Sequence, residues 1–100
     1  MAITANVDLG NGVTASSCYI IVPTAYVKKF DDDSFKLIYD VEIYQNKSAR
    51  DSDARQSKKI ACKTVDHHKI TYDPTTSDNP FKLAYTHLKT NSKLSSVADA

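Results

Sequence analysis

Asp31, Asp33 and Glu42 stand first, third and twelfth in what would be a calcium loop, a spacing that gathers oxygen ligands around a hard cation. The fifth place, however, is Phe35, and the sixth, where such a loop turns sharply, is Lys36 instead of glycine. Glu42 also belongs to a strand pattern, so the acids read as a solvated hairpin tip. His67 and His68 are adjacent, and on a strand neighbouring side chains point to opposite faces, so the two cannot share a metal. Cys62 with either of them is half of a tetrahedral zinc set, and no second Cys/His pair stands at finger spacing. His87 is far away in sequence. No nucleophile elbow, phosphate-cradling glycine loop or metal-hydrolase spacing is present. The expectation is a protein that is not an enzyme and uses no metal or cofactor.

Thirteen Lys and Arg against twelve Asp and Glu leave a net charge of +1. That balance advertises neither a nucleic-acid nor a membrane partner. Lys58, Lys59, Lys63 and Lys69 would make a basic stripe beside Tyr72; without arginine–aromatic interleaving they read as a soluble strand face, and edge lysines oppose unwanted strand pairing. Six tyrosines without a tryptophan are too many to fit inside so small a core with every hydroxyl satisfied, so some should lie at a rim or in contact with another chain. Cys18 and Cys62 are too few for a stapled secreted scaffold and read as small buried thiols, with a single bridge as the alternative. The N-terminus has no basic and apolar stretch of signal-peptide type.

The elements that hold these residues are mostly strands. Ile3, Ala5, Val7 and Leu9 alternate with polar residues, the pattern of a half-buried strand. Gly10-Asn11-Gly12 reverses the chain. The stretch from Cys18 to Phe30 reads as two strands, because Pro23 cannot donate to a ladder and marks an edge, a bulge or a break. Asp31-Asp32-Asp33-Ser34 is the clearest turn and Phe35, Leu37, Tyr39, Val41 and Ile43 the clearest strand face. Asn46–Ser57 reads as a long exposed loop, followed by strands over Lys58–Val65 and Lys69–Tyr72. The period then changes. Asp78 or Asn79 caps a helix over about 79–90, Pro80 suits its first turn, and Phe81, Ala84, Tyr85 and Leu88 form one apolar face. The predicted architecture is a mainly β domain over 1–90, a small antiparallel β-sandwich or barrel with one short C-terminal helix, followed by a polar tail over 91–100. Its core would be Phe35, Leu37, Tyr39, Val41, Ile43, Phe81, Tyr85 and Leu88.

Three stretches carry a resemblance: Ala25-Tyr26-Val27-Lys28, then Val41, Tyr44, Lys47, Ala49 and Arg50 in a V-x-x-Y-x-x-K-x-A-R pattern, then Tyr85, Leu88 and Lys89 in Y-x-x-L-K. Across residues 18–100 the arrangement resembles small virion-associated proteins encoded in the structural-gene regions of tailed bacteriophages. The resemblance implies a structural subunit of the virion, made in the host cytoplasm, with its place in the tail, baseplate or adaptor region. Its partners would be other virion proteins and copies of itself, in a homo-oligomer or larger assembly. Contacts would be made by added strands or docked apolar faces, with Tyr26, Tyr44, Arg50 and Arg55 as interface residues. Capsid decoration is the alternative within that class. Outside it stands a small host-surface glycan-binding module, built on a tyrosine platform beside Asp31–Asp33.

Overall fold

The computed structural model describes residues 2–10, 12–52, 59, 60, 62, 65–75 and 79–100. They form a mainly β protein: β1 (Ile3–Gly10), β2 (Val13–Lys29), β3 (Phe35–Tyr44), α1 (Lys47–Asp51), β4 (His67–Thr71), α2 (Pro80–Leu88) and β5 (Leu94–Asp99). The five strands make one antiparallel sheet in the order β4-β3-β2-β1-β5, which does not close on itself. No helix among the described residues is long and apolar enough to cross a membrane.

β2 is one strand, not two. Straight, its 17 residues would run about 56 Å, yet the longest dimension of the molecule is 40 Å. Irregularities bend it. Against β1, the register steps from Ala5↔Cys18 to Val7↔Ala15, which inserts a residue near Ser17 at φ 51°. The freed Ser17 N–H donates to Asn6 Oδ1 at 2.8 Å. Against β3, the register steps from Ile21↔Glu42 to Thr24↔Asp40, so Pro23 sits in a bulge of a central strand. Val22 N–H there donates to the Tyr85 hydroxyl oxygen on α2 at 2.8 Å. The proline thus shifts the ladder without ending it, because a helix side chain takes the hydrogen bond the sheet gives up.

One sheet face carries the main core: Ile3, Ala5 and Val7 of β1, Cys18, Ile20 and Val22 of β2, and Leu37, Tyr39, Val41 and Ile43 of β3. Ala84, Tyr85 and Leu88 of α2 close over it. A nine-residue helix is marginal alone; each large apolar side chain it buries contributes roughly 1.5–3 kcal/mol. Asn79 caps it by accepting from Phe81 N–H at 2.7 Å, with Pro80 behind the cap, and Asp78 lies outside the described residues. Two expected core residues are not in this core. Phe81 is 40% exposed because it lies on the first turn, at the rim of the helix contact. Phe35 is half-buried, since it begins β3 beyond the reach of α2.

Among the described residues the other face is covered at one end, where Ala49 of α1 packs with Ala2, Tyr19, Ile21 and Tyr44. The stretch expected as loop from Asn46 therefore begins as a helical turn, with Asn46 Oδ1 accepting from Ala49 N–H at 2.9 Å. The expected polar tail is also structured. Leu94–Asp99 pair with β1, with an extra residue at Ser96, φ 52°. Both cysteines are buried and unbridged.

Candidate functional site

Residues capable of chemistry fall into two groups, one on each sheet face. Beneath α2, Tyr39, His68 and His87 meet although 48 residues separate the first from the last. The Tyr39 and His68 rings stack at 5.1 Å, and His87 stands edge-on to both at 5.8 and 5.7 Å. The Tyr39 hydroxyl and His87 Nδ1 are 2.6 Å apart. Burial pushes the Tyr39 pKa up, so the phenol keeps its proton. Asn91 Nδ2 lies 3.5 Å from His68 Nε2. Burial, and then the neighbouring His87, hold His68 below the ordinary histidine pKa. A half-buried pair of imidazoles with a protonated phenol is a packed polar cluster that joins α2 to β3 and β4.

His67 and His68 do face opposite sides, as adjacency on a strand requires. His67 is exposed, with Nδ1 2.6 Å from Asp40 Oδ1. The same open face holds Glu42, which accepts from the Tyr44 hydroxyl at 3.0 Å and pairs with Lys59 at 2.5 Å. Glu42 is thus engaged well along β3 from the Asp31–Asp33 turn. In that turn Asp32 accepts from the Ser34 hydroxyl and N–H, and these bonds hold its carboxyl below the usual range. Asp40, Glu42, Asp66 and His67 line an open recess of about 540 Å³ with Lys59. Its carboxylates are engaged: Asp40 with His67, Glu42 with Lys59, and Asp66 as acceptor of Cys62 N–H.

Farther along the open face the strands set out two rows. Tyr26, Ile38 and Lys69 lie side by side across β2, β3 and β4, and Lys28, Lys36 and Thr71 form the next row. At the end of β2, the Phe30 ring gathers three ammonium groups: Lys28, Lys36 and Lys69 Nζ lie 5.5, 5.7 and 5.2 Å from its centroid. Two ammonium charges about 8 Å apart in water repel by about 0.5 kcal/mol, and a cation over an aromatic face regains a similar amount. The ring therefore offsets the crowding. None of these three lysines has a carboxylate in ion-pair reach among the described residues.

Of the expected interface residues, Tyr26 is exposed, at 47%. Tyr44 is fully buried, because α1 covers the sheet where it emerges. Arg50 is half-buried, bonds Asp51 at 3.1 Å, and has a buried Nε without a hydrogen-bond partner among the described residues. Arg55, with Lys58 and Lys63 of the supposed basic stripe, lies outside the described residues. The tyrosine platform shrinks to one ring: Tyr39, Tyr44 and Tyr85 are buried and Tyr19 and Tyr72 half-buried. Both sheet edges are guarded against added strands. β4 has five residues with exposed Lys69 at its centre, and β5 carries the Ser96 bulge. The sequence missed the lysine–phenylalanine cluster; the signal available was Lys28 and Phe30 flanking the turn from Lys36.

Compared with protein-family models, with curated proteins and with solved structures, the chain matches none.

Proposed function

We propose that the chain is a structural subunit of a tailed-phage virion, in its tail, baseplate or adaptor region, and works through contacts with copies of itself and other virion proteins. The virion part of this reading rests on the resemblance over residues 18–100. The contact part rests on one observation: an apolar recess of about 460 Å³ at the start of α2, lined by Val22, Asn79, Phe81, Lys82 and Tyr85. Phe81 stands half-open at that recess, while Val13, 54% exposed, marks the tip of the β1–β2 hairpin. A projecting apolar residue and a separate apolar recess on one chain suit a head-to-tail contact, which builds rings or longer assemblies. Guarded edges favour such face and tip contacts over strand addition.

Mass spectrometry of purified particles from the phage that encodes the chain tests the first part: stoichiometric chain is expected, and its absence overturns the virion reading. Sedimentation tests the second. Wild-type protein should self-associate and Val13→Lys or Phe81→Ser should stay monomeric with unchanged thermal stability; association that survives both substitutions refutes the contact.

A further inference from the structure

Net charge conceals how positive charge is distributed on this molecule. Lys28, Lys36 and Lys69 come from three neighbouring strands yet surround one ring, and their distances to its centroid place no two ammonium groups more than about 11 Å apart. Tyr26 lies on the same face, one row away, with its ring open to solvent. Neither of the two recesses described above is lined by Tyr26, Phe30 or these lysines. A polypeptide partner is held by a strand edge or by pockets that receive its side chains. Neither recess reaches these residues, and the edge beside them is guarded by Lys69. An open ring beside clustered cations, with Asp32 only partly offsetting Lys36, suits bases and phosphates instead, because every base has a face to stack and every link an anion to pair.

We propose that the face formed by Tyr26, Lys28, Lys36 and Lys69 binds single-stranded nucleic acid, with phosphates on the lysines and one base stacked on Tyr26. This site is independent of the virion reading and departs from the expectation, drawn from net charge, that nucleic acid is not a partner. Binding is local, non-specific in sequence and strongly dependent on salt.

Fluorescence anisotropy of a labelled oligothymidylate measures it. Three phosphate contacts give a slope of about −2 in log affinity against log salt, or about twentyfold weaker binding between about 50 and 200 mM salt. Lys28→Gln, Lys36→Gln and Lys69→Gln should each reduce the slope by about 0.7. Tyr26→Ala should weaken binding about tenfold at an unchanged slope. Tyr26→Leu keeps the apolar bulk, so if it binds like wild type, stacking is refuted whatever the alanine variant does. Circular-dichroism melts of each variant separate lost binding from lost folding. The proposal is overturned if low salt gives no binding, if the triple lysine variant binds unchanged, if duplex DNA binds as tightly as the single strand, or if poly-L-glutamate binds in preference.

Discussion

Replacing Tyr85 by phenylalanine removes one oxygen from the molecule and tests how α2 is attached. The Pro23 bulge takes Val22 N–H out of the β2–β3 ladder, and the Tyr85 hydroxyl receives it in a buried setting at 2.8 Å. Phenylalanine keeps the ring packed with Ala84 and Leu88 over the sheet, so little apolar burial changes. What remains is a buried donor without its acceptor, which costs about 1–3 kcal/mol. In a domain of this size that lowers Tm by roughly 5–20 °C. Urea unfolding should show a lower midpoint at an unchanged slope, the sign of lost stability without a change in the surface exposed. Tyr72→Phe is the control: Tyr72 is half-buried and its hydroxyl has no hydrogen bond among the described residues, so the change should stay within about 0.5 kcal/mol. An unchanged midpoint in Tyr85→Phe would refute the view that this hydroxyl sustains the bulge.

Acid should loosen the same helix. Burial and His87 lower the His68 pKa from 6.5, so the folded chain binds fewer protons than the unfolded one as pH falls below that value. The contribution is therefore complete above about pH 6.5 and declines as pH drops toward the folded pKa; urea midpoints at about pH 7.5 and 5 should differ by less in His68→Gln than in wild type. Asn79→Ala, which leaves Phe81 N–H uncapped, should cost about 1 kcal/mol by the same assay. Ser17 holds a left-handed backbone at φ 51°, so Ser17→Gly should be neutral or stabilising by up to about 1 kcal/mol, whereas Ser17→Val should destabilise.

β3, the Asp31–Ser34 turn and α2 were legible because their local patterns are also their tertiary roles: alternation for the sheet, polar residues for the turn, and a cap with helical spacing for the helix. β5 and the first residues of β2 were not, since bulges at Ser96 and Ser17 add a residue each and put the alternation out of phase. Pro23 read as a break because nothing in its neighbourhood announces a tyrosine 62 residues later that satisfies Val22. α1 has five residues and one cap, too short for any period to show, and with it the burial of Tyr44 was hidden. The histidine cluster and the lysine–phenylalanine cluster depend on strand register, which sets residues far apart in sequence side by side. Patterns within one segment carry no information about that pairing.

The hydrogen bond between Tyr85 and Val22 also bears on the order in which the sheet assembles. β1 through β4 form by neighbouring strands meeting in turn, but β5 must find β1 across nearly the whole chain, Asn6 against Ser95. Closing that distance from an open chain costs about 2 kcal/mol more than closing a ten-residue loop, since each doubling adds about 0.6 kcal/mol. Once α2 is docked on β2, only residues 89–93 separate its end at Leu88 from Leu94. The helix thus delivers the last strand to its place. The expected order is meander, then helix, then β5, and a Tyr85→Phe variant should show slower refolding as well as lower stability.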